Sequence, residues 1–369
     1  MEICIESQPL HHHQRSGLFT YVEGLVESLH QADNSNRYTL AYYSLNRGSS
    51  EMPGPLDDHF RKVVLKVPDR PFWGRQGIVD NIALPILFRS KKIKVFHRPA
   101  GYTMPNVKNI FKVLTVHDLR TLTMKDQILK QDIGQYRKAL QSLDICTVVS
   151  ECTKRDLITH FQMDEKKIRV TYLGADARFK PVEAQTVAQV NKKYQLDEPY
   201  FLSVGSVPRK NVDGILKAFA AAKCNQKFLL AICCNWEYKK YQDLAKELSI
   251  ENRVRFLDKP KDEEVVSLYS GCRAFVFPSL YEGFGLPILE AMQCGAAVIT
   301  SNTSSCPEVA GNAAITLDPQ AVGEITSAID ELASNEGLRQ GLIEKGFQRA
   351  KLFSWTKFAK EMRAIYEMA

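Results

Sequence analysis

Glu282 and Glu290 stand in the stretch SLYEGFGLPILEAMQCGAAVITSN, from Ser279 to Asn302, separated by seven residues and flanked by apolar side chains. Carboxylates are costly in apolar surroundings unless something pairs with them. Gly283 and Gly285 allow close backbone approach or unusual dihedrals. Pro287 suits the first turn of a helix, and Gly295 suits its C-terminal cap. Glu282 is therefore expected in the loop before a helix, and Glu290 about one turn inside it. From there both can face one cleft at different depths. Carboxylates so placed accept hydrogen bonds from vicinal hydroxyls, which sugars and riboses present. Each alone has a plainer reading: Glu290 as a helix-face glutamate, Glu282 as a charge stabilised by the helix dipole. Taken with the glycines, the pair favours ligand binding.

A second cluster lies in YFLSVGSVPRKNVDGILKAF. A strand ends at the glycine turn of Gly205, and a helix follows with Ile215, Leu216 and Phe219 on its apolar face. Arg209 and Lys210 fall in or just before the first helical turn. Orphan N–H groups and the dipole favour an anion at that end and disfavour cations. An anion between them would reverse the balance; a solvated basic turn is the plainer alternative. In the N-terminal half, VLTVHDLRTL ends a buried strand with His117 and Asp118, a pair at a strand's carboxyl end. Gly17 follows the first strand and opens an amphipathic helix, a weak phosphate-loop signal. The three histidines before it are consecutive, so they cannot all face one metal on a regular element.

These groups need elements that bring them together. Short apolar runs alternate with helical patterns: EICIES, YTLAYYSL, KVVLKV, KVFHRP, FKVLTVHD, DICTVVSE and IRVTYLG, then YFLSVGS, KFLLAICC, VRFLDK, AFVFPSL, AAVITSN and AAITLD. Continuous hydrophobicity implies strands buried on both faces. Interleaved helices imply parallel, doubly wound α/β sheets, which bind ligands beyond the carboxyl ends of their strands. The polar stretch Lys180–Glu198 between the two sets reads as a domain linker.

With 369 residues, two domains are expected. The 44% apolar and 25% charged residues fit a globular protein, and no run of about 18 apolar residues spans a membrane. No signal-peptide pattern is visible. The nine cysteines form no CxxC pair and sit largely in apolar strands, so a reducing cytoplasm is the expected home. Residues 1–180 carry 27 basic and 19 acidic side chains, a net of +8, whereas the remainder stands at −1. The two halves should therefore meet different partners. Within the basic half, RPFWGRQGIVDNIALPILFRSKKIK joins aromatic and aliphatic residues to a basic end. It reads either as a buried helix broken near Pro85 and followed by a solvated basic turn, or as a membrane-surface contact through Phe72, Trp73, Arg89, Lys91, Lys92 and Lys94.

Together these residues resemble the retaining glycosyltransferases of the GT-B fold, specifically family four, along nearly the whole chain. PSLYEGFGLPILEAMQCGAAVIT is similar to that family's two-glutamate segment, and GSVPRKN to its phosphate-binding turn. SSCPEVAGNAA resembles the segment that follows the donor site. SGLFTY, TVHDL and VVSECTKRDL resemble the N-terminal landmarks, and FSWTKFAKEMRAIYE the closing helix. Two departures stand out: Ser206 occupies a position where many members have arginine, and Ala296–Val298 replaces a small-Pro-Val sequence.

The resemblance implies an acceptor-binding domain over residues 1–180 and a nucleotide-sugar-binding domain over 181–352. A terminal helix, 353–369, would return to the first. The donor would meet Gly17, Ser206, Arg209, Lys210, Glu282, Gly283, Phe284, Gly285, Leu286 and Glu290. Lys210 and Arg209 would hold the diphosphate, Glu290 the ribose and Glu282 the sugar hydroxyls. His117 and Asp118 would lie on the acceptor side, with His117, Glu282, Lys210 and Arg209 serving catalysis. The implied partners are a nucleoside diphosphate sugar and a glycan or lipid-linked acceptor, with no nucleic acid. No Asp-x-Asp occurs, so neither metal nor other cofactor is expected. A same-fold epimerase needs acid/base residues with no evident place here, and a phosphorylase needs a pyridoxal lysine and a longer chain. A nicotinamide-dependent dehydrogenase needs G-x-G-x-x-G after a strand, which GFGLP does not supply. The intact Glu282, Lys210 and Glu290 argue against a non-catalytic nucleotide-sugar-binding protein, which stands with the epimerase as the alternative reading.

Overall fold

The apolar runs form strands because continuous burial suits parallel sheets covered on both faces. The computed structural model describes residues 1–11, 16–45, 47–48, 52–67, 73–120, 133–234 and 238–369. The chain divides into two units, Met1–Gly174 with Ser354–Ala369, and Ala175–Phe353.

In the first unit the strands are β1 (Glu2–Glu6), β2 (Arg37–Tyr43), β3 (Phe60–Leu65), β4 (Val95–Arg98), β5 (Phe111–Val116), β6 (Ile145–Val148) and β7 (Ile168–Val170). They form a sheet of order β3-β2-β1-β4-β5-β6-β7, with every pairing parallel. The second unit holds β8 (Tyr200–Val204), β9 (Leu229–Cys234), β10 (Val254–Asp258), β11 (Ala274–Phe277), β12 (Val298–Ser301) and β13 (Ile315–Leu317). Their order is β10-β9-β8-β11-β12-β13, again all parallel. Each sheet is a doubly wound Rossmann-like arrangement. The strand order reverses between β1 and β4 in one unit and between β8 and β11 in the other, and such switch points are where open α/β sheets take ligands. Thirteen strands thus lie where the apolar runs place them.

Two expectations about helices need correction. The stretch read as a linker contains a helix, Ala184–Lys193, which packs against the helix Asp262–Gly271. Its few apolar side chains, Ala184, Val187, Ala188 and Val190, are small and none is fully buried, so the segment shows no core-like run although it is helical. The segment expected to break near Pro85 does not break. Helix Trp73–Ile78 continues through a π-turn at Val79–Ala83 into helix Leu84–Lys91. Pro85 directly follows the π-turn, so its missing N–H falls where the hydrogen-bond ladder already changes its step.

The terminal helix Trp355–Tyr366 packs on helix Gly17–Ala32 of the first unit, as the resemblance implies. A Cβ at Gly24 would lie 2.5 Å from the Trp355 ring, so the indole needs glycine there. Farther along, the Tyr366 hydroxyl meets His97 Nδ1 at 2.7 Å, and His97 Nε2 meets Thr115 Oγ1 at 2.8 Å. Thr115 in turn bonds Tyr21 and Thr147. Burial, aided by the nearby His117, pushes the His97 pKa down to about 3, so the ring is neutral. Tyr366→Phe strands one buried ring nitrogen. It should cost about 1–3 kcal/mol, measurable as a lowered denaturation midpoint with an unchanged slope. An unchanged midpoint would mean that this chain of hydrogen bonds does not hold the helix in place.

All nine cysteines are free and eight are buried, consistent with a role as small apolar side chains. Among the described residues no helix is long and apolar enough to cross a membrane.

Candidate active site in the second unit

β8 and β11 are neighbours at the switch point, so the loops leaving their carboxyl ends meet. Gly205 follows β8 at φ +96°, and a Cβ there would press on the Lys210 side chain at 3.1 Å. Glycine alone thus combines the left-handed turn with room for the lysine to fold back. Pro208–Lys210 makes a tight 3-10 turn, and Asn211, at φ 59°, opens helix Val212–Ala221. Asn211 Nδ2 donates to the Pro319 carbonyl at 2.6 Å, which fixes the turn. The other loop is stitched onto it: Leu280 N–H and Ser279 Oγ both donate to the Arg209 carbonyl, at 2.8 and 3.0 Å.

These contacts bring Glu282 between the two cations. Lys210 Nζ donates to its Oε1 at 2.7 Å, and Arg209 Nη1 lies 2.6 Å from its Oε2. Ser279 Oγ also donates to Oε1, and the Lys210 ammonium stands 4.3 Å from the centre of the Phe277 ring. Lys210 and Glu282 are both buried, at 8% and 6% exposure. Burial alone would raise the Glu282 pKa, but Lys210 and Arg209 outweigh it and hold the carboxyl below its ordinary value. Burial likewise draws Lys210 below the usual lysine range, against the pull of Glu282. The ion pair is the state the geometry supports. With Arg209 it carries one net positive charge, which a multiply charged anion would complement.

Backbone geometry around Glu282 is fixed by two serines. Glu282 N–H donates to Ser304 Oγ at 3.0 Å, and Ser305 Oγ donates to the carbonyls of Glu282 and Phe284 at 2.9 and 2.8 Å. Gly283 is half-buried, whereas Phe284 is buried and meets the Phe353 ring edge-on at 5.8 Å. Gly285, at φ +105°, begins helix Leu286–Gln293. The first amides of any helix lack partners within it and mark the positive end of its dipole. Ser206 is buried beside the basic turn.

Glu290 lies inside that helix, half-buried, with Tyr269 donating to Oε2 at 3.4 Å. Burial raises its pKa from 4.5 to about 7, with Arg178 and Tyr269 opposing. The two glutamates of one short segment thus have opposite surroundings: one is held ionised by cations, the other is poised to take up a proton near neutrality.

The remaining candidates belong to the first unit. Gly17 opens its helix, exposed, with no atom within 4 Å of where a Cβ would stand. His117 follows β5 and is half-buried. Its Nε2–H donates to the Pro99 carbonyl at 2.7 Å, and its ring meets Tyr21 edge-on at 4.6 Å. Burial lowers its pKa, so the ring is neutral, with Nδ1 as an acceptor. Asp118 is exposed and accepts from Arg120 N–H at 3.2 Å. Sequence reasoning did not single out Ser279, Tyr269, Ser304 or Ser305. Only SSCPEVAGNAA, which begins with Ser304 and Ser305, pointed towards the last two. His12 and His13 lie outside the described residues.

Two family descriptions divide the chain between them: "Glycosyltransferase Family 4" matches residues 15–179 and "Glycosyl transferases group 1" residues 186–349. The chain belongs to this glycosyltransferase family. O-antigen chain mannosyltransferase B of Escherichia coli is 31% identical over 290 residues, covering 76% of each chain. The glycosyltransferase WaaG, involved in lipopolysaccharide biosynthesis, superposes with a TM-score of 0.76 at 14% identity over 99% of both chains. HepE of Anabaena, solved with UDP-glucose, gives 0.76 at 13% identity over the full length of both. At those identities the two structures establish the GT-B fold of this glycosyltransferase.

Proposed function

We propose that this glycosyltransferase moves a hexose-type sugar, with retention of configuration, from a nucleoside diphosphate sugar to a glycan or lipid-linked acceptor in cell-surface polysaccharide assembly. Arg209, Lys210 and Glu282 at the switch point carry the reading: a buried, net positive cluster beside a helix N-terminus suits a diphosphate. The mannosyltransferase relative makes GDP-mannose the first donor to try, and the UDP-glucose bound to HepE keeps a UDP-sugar in view.

Departure of the nucleoside diphosphate builds negative charge. Lys210, Arg209 and the amides of Phe284, Gly285 and Leu286 stabilise it, supported by Ser206 and Gly283 in the adjoining turns. Those cations supply the neutralisation that a metal would otherwise provide. Glu282 holds both cations in place and accepts hydrogen bonds from the transferred sugar. The acceptor attacks the face the phosphate leaves, and that phosphate takes the proton, so no glycosidase-type pair of carboxyls is needed. Gly17, His117 and Asp118 are assigned to the donor phosphate and the acceptor. Neutral His117, with Nδ1 free to accept, suits a hydroxyl. The enzyme would work at the inner face of the cell membrane, touching it through its first unit. Turnover in EDTA, with the product's anomeric configuration read by NMR, tests this. An inverted product, or activity lost in EDTA and restored by magnesium or manganese, would contradict it.

Glu290 would hold the ribose, and its pKa gives the test a pH signature. An ionised carboxylate accepts both vicinal hydroxyls, so nucleotide affinity should rise as pH passes through about 7. Glu290→Gln should flatten that profile and weaken binding about ten- to a hundredfold, the worth of charged hydrogen bonds. Stability should move the other way. A carboxyl whose folded pKa exceeds its unfolded value loses stability as pH rises from 4.5 to about 7. That deficit, about 3 kcal/mol at most, persists above the window. The glutamine variant without ligand should therefore melt higher than wild type at pH 8. A lower melting point with an unchanged pH profile would remove Glu290 from the site.

A further inference from the structure

The helix running from Trp73 to Lys91 has an inward side built as expected: Val79, Leu84, Leu87 and Phe88 are buried in the core of the first unit. Asp80, 4% exposed, ties the same side to the end of β4. It accepts from Arg98 Nη2 at 2.6 Å and from Gln76 Nε2 at 3.0 Å. Arg98, 1% exposed, is also paired with Glu6 at the end of β1. The register of the helix is therefore fixed. Its outward side is unusual. Ile78, Ile82 and Ile86, spaced by four, are 40%, 55% and 63% exposed. A surface helix ordinarily shows polar residues there. Where the stripe ends, Arg89, Lys91, Lys92 and Lys94 are exposed and make no ion pair among the described residues. Basic groups suit a helix C-terminus, but Lys92 and Lys94 lie beyond it.

We infer that this face is a docking surface for an anionic lipid bilayer. The isoleucines enter the boundary between headgroups and acyl chains, and the four basic side chains contact acidic headgroups. An apolar stripe with unneutralised cations is complementary to that surface, and it is how interfacial helices bind. The Asp80–Arg98 tie holds the helix on the sheet, so docking fixes the whole first unit relative to the lipid. This deepens the membrane-side reading above and rests on it for its purpose. It also revises the candidate residues: Phe72 and the side chain of Trp73 lie outside the described residues, and the isoleucines take their place.

Co-sedimentation of the full chain with vesicles of phosphatidylcholine, with and without phosphatidylglycerol, tests it at low and high salt. Wild type should bind the mixed vesicles at low salt and bind less at high salt. Lys91→Glu/Lys92→Glu/Lys94→Glu should cut partitioning at least about a hundredfold, given about fivefold per basic group. Ile82→Ser/Ile86→Ser should remove the binding that survives high salt. Nucleoside diphosphate binding, measured on the same variants, should stay at wild-type level; its absence in wild type would fault the enzyme reading, not this one. No vesicle binding at low salt, as expected if the occupant is another protein, or binding unaltered in both variants, would overturn the inference.

Discussion

Glu282→Ala should abolish sugar transfer, lowering kcat by about a thousandfold, the scale set by loss of a group that acts on the transition state, while nucleoside diphosphate still binds. The carboxylate has two functions that the variant separates. Towards the sugar it is an acceptor of hydrogen bonds. Towards Lys210 and Arg209 it is the shared counter-charge, at 2.7 and 2.6 Å. Removing one partner of a buried pair leaves an uncompensated charge and costs about 3–5 kcal/mol. The ligand-free variant should therefore melt well below wild type. A diphosphate supplies the missing negative charge, so it should raise the variant's melting point more than that of wild type. Glu282→Gln keeps the shape and the Ser279 contact, and should fail in turnover with a smaller loss of stability. Wild-type kcat in either variant would remove Glu282 from the reaction.

Arg209→Ala with Lys210→Ala should lower nucleoside diphosphate affinity about a hundredfold or more, taking about 1.5–3 kcal/mol for each charged hydrogen-bonding group. Free nucleoside should lose no more than a fewfold, because nothing it offers meets these cations. Calorimetric titration of both ligands separates the outcomes. The double variant also leaves Glu282 buried without its cations, so its carboxyl should rise above the ordinary range instead of lying below it. The folded variant would then gain stability as pH falls towards the carboxylate range. If nucleoside and nucleoside diphosphate weaken equally, the pair shapes the loop and does not hold the diphosphate.

Much of this was legible in the sequence because the sheets are parallel and buried. Continuous apolar runs such as LLAICC and KVLTV have one architecture open to them, and the loops at their carboxyl ends follow from chain order. Glu282 could be placed before a helix because Gly285 and Pro287 mark its start. The pairings were not legible. Lys210 and Glu282 are 72 residues apart and meet only because β8 and β11 are adjacent, a fact of strand order and not of local pattern. The same holds for Arg98 with Glu6, 92 residues apart, and for Tyr366 with His97, 269 apart. The π-turn at Val79–Ala83 escaped notice for another reason. Asp80 looks like a surface residue until Arg98 gives it a buried partner. Helix Ala184–Lys193 read as a linker because its polarity resembles that of a loop when only composition is weighed.

Release of nucleoside diphosphate from a panel of nucleotide sugars, GDP-mannose first, links the charged cluster to catalysis in one assay. Wild type should release it from one donor, at a rate raised by the acceptor, whereas the Arg209→Ala/Lys210→Ala variant should release none above background. No release from any donor, or equal rates in the two proteins, would contradict transfer from a diphosphate held by Arg209, Lys210 and Glu282.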